Sequence, residues 1–117
     1  MQNIPDVEQS HVYDSLIVIS QKALETGHYE VAYHALAAAM HYARDEGNKE
    51  RLANIETIAQ AQQDWIDSRD LKHWMSRQSA ARRGVKSLYD TLARQARAHE
   101  IIVEQESRRE HTNEQTK

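Results

Sequence analysis

Strong helix breakers are almost missing from this chain: among 117 residues there is a single proline, Pro5, and three glycines, Gly27, Gly47 and Gly84. Between them, apolar residues recur every three or four positions, the spacing of one face of an α-helix. The isolated glycines therefore read as helix punctuation and not as parts of a phosphate-cradling loop. Sheet structure has little to build on, because the chain has no Phe and no hairpin signal. The one strand-like run, Leu16-Ile17-Val18-Ile19, has no second strand to pair with. An all-α fold is predicted.

Four helices and one irregular connection follow from the spacing. The first opens at Asp6, an N-cap after Pro5 with Gln9 three residues on, and runs to about Thr26. Its stripe is Val12, Leu16, Ile19 and Ala23, widened by Tyr13, Ile17 and Leu24. Gly27 ends it, and the second helix runs from Tyr29 to about Glu46. There Ala32, Leu36, Ala39 and Ala43 share one face, and their small size permits close approach by a neighbour. After Gly47, Asn48 caps a third helix with Leu52, Ile55, Ile58, Ala59, Trp65 and Ile66 at helical spacing, fading near Ser68. Residues 69–84 lack periodicity and read as an irregular basic connection. Ser87 and Asp90 then match a capping box for the last helix, whose stripe is Leu88, Leu92, Ala96, His99 and Val103. From Glu104 onward no residue is apolar, so the tail 104–117 cannot offset its ordering entropy by burial and is expected to be disordered past about Arg109. Residues 1–103 are expected to form a single four-helix bundle-like domain, since a chain this short has no room for a second core.

Several function classes drop out on composition. With no cysteine there is no disulfide framework, thiol nucleophile or thiolate zinc site. The opening MQNIPDVEQS has neither the basic start nor the apolar core of a leader, and no run approaches the length of a membrane span. A soluble, cytoplasmic protein that does not contact membrane is expected. No Ser-His-Asp arrangement can be placed at a strained turn, so enzyme signals are thin and no cofactor is expected. Glu30, His34, His41 and Asp45 share a helical stripe, but the two histidines stand two turns, about 10 Å, apart, and the stripe lies opposite the alanine face. A solvated face with no metal is expected.

Charge is segregated along the chain, although the net value is only −3. Residues 1–68 carry 4 basic and 11 acidic side chains, residues 69–99 carry 8 and 2, and residues 100–117 carry 3 and 5. A basic segment between acidic ones either pairs with its own chain, the favoured reading in so small a domain, or receives an external anion. Its candidate binding residues are Trp65, Lys72, His73, Trp74, Arg77, Arg82, Arg83 and Lys86. Aromatics among cations could stack bases, yet the negative net charge and the lack of a nucleic-acid motif argue against that partner. An acidic or phosphorylated protein segment suits the arginines better, through bidentate bonds.

Two family resemblances can be set beside this reading. Residues Tyr13–Glu46 resemble one tetratricopeptide repeat, a helical hairpin used as a protein-binding scaffold. Gly27 and Tyr29 stand at its turn, Ala32 and Ala39 at the small positions of its second helix, Leu36 at the large apolar position, and Leu16 and Ile19 in its first helix. Ser20 stands where the family prefers Gly, Ala23 where it prefers an aromatic residue, and Arg44 near a common Pro. Leu52, Ile55 and Ala59 echo the pattern, and the third and fourth helices would cap the hairpin. The stretch LETGHYEVAYHALAAAMHYA is also similar to the second-helix region of HEPN domains, four-helix bundles that include toxin-type ribonucleases. That resemblance implies a catalytic pair on the last helix, Arg94 and His99, with Gln95 after the Arg; His99 would move a proton and Arg94 would stabilise phosphate charge, across a dimer interface.

The expected function is a non-catalytic protein-interaction or regulatory module, built on the hairpin and the basic connection. The alternative is a HEPN-like ribonuclease using Arg94 and His99. A self-associating homodimer is a third reading, motivated by the apolar run Ile101-Ile102-Val103.

Overall fold

The structure, a computed structural model, describes the backbone of residues 5–115 and the side chains of residues 11–113. All regular structure among the described residues is helical, in the order α1 (Pro5–Glu25), α2 (Tyr29–Glu46), α3 (Lys49–Arg69), α4 (Arg77–Arg82) and α5 (Leu88–Gln115). Helices α1 and α2 form one hairpin and α3 and α5 a second, with α2 packed against both α3 and α5. The result is a flat body measuring 58 × 42 × 16 Å.

The turn chemistry follows the glycines. Gly47 has φ +65°, and the amides of Gly47 and Asn48 donate to the carbonyls of Arg44 and Ala43, closing α2. Gly27, at φ +82°, lets His28 donate to the Ala23 carbonyl at 2.8 Å and so ends the first helix. Asn48 Oδ1 accepts the Arg51 amide at 3.0 Å, as its N-cap position requires. Ser87 Oγ accepts the Asp90 amide at 3.1 Å and starts α5. The proposed Asp6–Gln9 cap lies outside the described side chains, and the helix itself begins one residue earlier, at Pro5.

The alanine face of α2 is the centre of the core: Ala32, Leu36, Ala39 and Ala43 are all fully buried, joined by Tyr29 and Met40. From α3 come Leu52, Ile55, Ala59 and Ile66, and from α5 Tyr89, Leu92, Ala93 and Ala96. One face is rotated from its expected position, and a second keeps Leu92 and Ala96 inside as expected but departs at its first residue. In α1 the inward residues are Tyr13, Ser20 and Leu24, with Leu16, Ile17 and Ala23 at the edge, whereas Val12 and Ile19 face outward. In α5, Leu88 is exposed and Tyr89 takes its place inside.

Ser20 accounts for the rotation of α1. Its Oγ donates to the Ala32 carbonyl at 2.7 Å and accepts from Gln62 Nε2 at 3.0 Å, which ties α1 to α2 and α3 at one buried point. Tyr13, on the same inward side, donates to the Arg51 carbonyl at 3.3 Å. These contacts satisfy buried polar groups that the alternative face, 100° round the helix, would leave without partners.

Two expected irregular segments are helical. The connection 69–84 contains α4, which forms because Ser76 Oγ accepts the Ser79 amide at 3.0 Å and donates to the Leu71 carbonyl at 2.6 Å. The tail beyond Arg109, expected to be disordered, continues α5 to Gln115. Its first turns are steadied by Glu104, which pairs with Lys49 of α3 and with Arg108 one turn on, both at 2.9 Å. Residues 116–117 lie outside the described part. No helix among the described residues is long and apolar enough to cross a membrane.

Candidate functional site

The connection that carries the basic residues is pinned by one of them. Arg77 extends Nε and Nη2 to the two carboxylate oxygens of Asp90, at 2.9 and 3.0 Å, a forked pair. Its Nη1 reaches Asp64 Oδ1 at 2.9 Å and Asp67 Oδ2 at 3.1 Å, while its amide donates to Asp67 Oδ1 at 2.9 Å. Three carboxylates thus fasten α4 to α3 and to the start of α5. Burial pushes the Asp90 carboxyl up, but the bonds from Arg77 and Ser87 and the Arg77 charge outweigh it and hold the group below the usual range.

Beside this knot lies an open groove between α3 and α5, about 720 Å³ in volume. Its α5 wall carries Arg94 and Arg97, one turn apart, with Lys86 just before the helix. Ala93, Ala98 and Ile101 supply apolar surface, and Glu56, Gln60 and Asp64 stand on the α3 wall. Lys86 and Arg94 enter no ion pair among the described residues, and Arg97 makes a long contact of 3.4 Å to Glu100. Glu100 is buried, and its carboxyl is pushed up by that burial and by the neighbouring Glu56 carboxyl, against the opposing pull of Arg97. The groove therefore carries both signs, with Lys86, Arg94 and Arg97 on one side and Glu56 and Asp64 on the α3 wall. The volume falls in the range of small-ligand sites.

The eight residues marked in the sequence do not form one cluster. Arg77 and Lys86 line the groove. His73, Trp74 and Arg83 gather elsewhere: the His73 ring stacks on Trp74 at 6.0 Å and meets the edge of Tyr29 at 4.9 Å, and Arg83 Nη2 donates to the Trp74 carbonyl at 3.0 Å. Trp65 packs against the core with the Arg69 guanidinium 3.5 Å over its ring. Lys72, before α4, and Arg82, its last residue, are exposed. Arg77 is therefore a structural cation, and the basic connection is held largely by its own chain.

The ribonuclease pair is also split. Arg94 lines the α3/α5 groove, whereas His99 is half-buried on the α2 side of the same helix. Burial lowers the His99 imidazole from its usual value, and the nearby Arg44 guanidinium and His41 ring lower it further. Five residues of separation turn the two side chains about 140° apart on a helix. Glu30, His34, His41 and Asp45 are exposed on α2, and no group of three or more metal-ligating side chains gathers among the described residues.

Arg94 as a binding residue and Arg97 altogether escape a reading of the sequence, which looks for the basic site in the connection. The signal that could have found them is the repeat of Asp90, Arg94, Arg97 and Ile101 on one face of the last helix. Comparison of the chain with protein-family models, with curated proteins and with solved structures found no match.

Proposed function

We propose that the chain is a non-catalytic protein-interaction module whose α3/α5 groove takes a short acidic or phosphorylated segment of another protein. The observation that carries this reading is the row Lys86, Arg94 and Arg97 above an apolar strip, none of the three in an ion pair with the aspartates that hold Arg77. An anionic side chain bound there exchanges water for charge-assisted bonds to guanidinium groups, and its neighbours bury apolar surface on Ala93, Ala98 and Ile101. The resemblance of residues Tyr13–Glu46 to a tetratricopeptide hairpin supports a binding role of the same kind. Selection from a library of phosphoserine, aspartate-rich and lysine-rich peptides tests it. Enrichment of the acidic classes by the wild-type chain, lost in Arg94→Glu/Arg97→Glu, is expected. Enrichment of no class, or of the same peptides by both chains, would contradict it.

A further inference from the structure

The outer side of α1 is the other feature with unspent binding capacity. Val18 is 53% exposed, Ile19 50% and Val12 45%, and His11, Asp14, Ser15, Val18 and Ile19 line a shallow depression of about 370 Å³. Asp14, Lys22 and Glu25 are exposed around it and enter no ion pair among the described residues. Glu25 is steadied on this side by Gln21 Nε2, which donates to it at 3.0 Å.

We infer that this face pairs with the same face of a second copy of the chain, the two α1 helices running antiparallel about a twofold axis at Val18. The charges choose that arrangement. Asp14 stands four residues before Val18 and Lys22 four after it; His11 stands seven before and Glu25 seven after. Steps of four and seven residues return to within about 40° and 20° of the starting direction, so all five side chains share one face. With Val18 opposite its own copy, Asp14 lies level with Lys22 of the second copy and His11 with its Glu25, and the twofold axis makes each pair twice. Ser15 beside Val18 is small enough to let the helices approach, and Ile19 and Val12 cover one flank. A parallel pair would instead set Asp14 against Asp14 and Lys22 against Lys22. This twofold pairing of Asp14 with Lys22 about an apolar centre is what an isologous interface requires.

One helix pair buries no more than about 1,000 Å² in total, the lower limit of specific interfaces, so the dimer is reversible and depends on concentration. The inference is independent of the groove, which lies between other helices.

Sedimentation velocity over a concentration series reaching about 1 mM tests it. The wild-type chain is expected to dimerise reversibly, while Asp14→Lys and Lys22→Asp each place two like-charge pairs in the interface and weaken association at least tenfold. An equimolar mixture of the two variants is expected to regain part of it, because in a heterodimer of one with the other each substituted charge can face an opposite one, which neither variant achieves with itself at that pair of positions. Val18→Glu is expected to be monomeric with unchanged helicity by circular dichroism. A wild-type chain that stays monomeric, a mixture that associates no better than either variant alone, or a dimer indifferent to Val18→Glu would overturn the inference.

Discussion

Arg77 of α4 and Asp90 of α5 meet through a forked pair of hydrogen bonds, at 2.9 and 3.0 Å, across the non-helical residues 83–87 that join the two helices. The same guanidinium also holds Asp64 and Asp67. Because the side chain is partly exposed, Arg77→Ala is expected to cost only about 1 kcal/mol at neutral pH despite the number of its bonds. Asp90 is held below its ordinary pKa in the folded chain, so the stability it contributes is present above pH ~4 and is lost as the pH falls through its folded value. Urea titrations of wild type and Arg77→Ala between neutral and acid pH check this. Their difference should shrink as the pH falls, and a constant difference would contradict the role given to Asp90.

Ser20 joins three helices through one hydroxyl. Replacing it by alanine leaves the buried Gln62 amide and the Ala32 carbonyl without that partner, an expected loss of about 2 kcal/mol measured by denaturant unfolding. A Ser20→Ala/Gln62→Leu chain should recover part of the loss, since the orphaned amide is removed with its partner. Equal losses in the single and double variants would show that packing, not the bond, holds α1 in its orientation.

Glu100 carries the opposite pH signature to Asp90. Its folded pKa is raised, so the folded chain bears a cost above that value which fades as the pH drops below the ordinary glutamate range near ~4.3. Glu100→Gln is expected to raise stability by about 1 kcal/mol at neutral pH and by nothing at low pH. Thermal melts at both ends of that interval decide the matter. A variant less stable than wild type at neutral pH would show that the carboxylate is held in its charged form.

Tyr89 buries a hydroxyl that finds no hydrogen-bond partner among the described residues, its ring set edge-on to Tyr33 at 5.6 Å. Tyr89→Phe keeps the ring and removes the stranded group, and is expected to be neutral or to stabilise by up to about 1 kcal/mol in urea unfolding. A clear loss would mean the hydroxyl is satisfied in solution.

Much of this architecture is legible in the residues because it is set locally. The α2 core face is stated outright by the spacing of Ala32, Leu36, Ala39 and Ala43, and the starts of α3 and α5 by Asn48 and Ser87. The orientation of α1 is not local. Val12-Leu16-Ile19 and Tyr13-Ile17-Leu24 are equally apolar neighbours on the wheel, and the choice falls to a bond between Ser20 and Gln62, 42 positions apart. Helix α4 escapes notice because six residues are too few to show a period, though Ser76 and Ser79 hold its capping pattern. The candidate site is the least legible part. Segment charge marks residues 69–84 as basic, but only the fold reveals that Arg77 is spent on Asp64, Asp67 and Asp90 and that the groove's other arginines stand on α5.

The most direct test of the proposed role is a chemical-shift titration of the isotope-labelled chain with a phosphoserine peptide enriched in the selection above, beside its unphosphorylated form and a short RNA. Shifts confined to Lys86, Ala93, Arg94, Arg97, Ala98 and Ile101 are expected, with binding weakened about tenfold or more by Arg94→Glu, the scale of one charge-assisted contact. Shifts centred on His99, with RNA cleaved by wild type and spared by both Arg94→Ala and His99→Ala, would contradict a non-catalytic module and make the chain a nuclease.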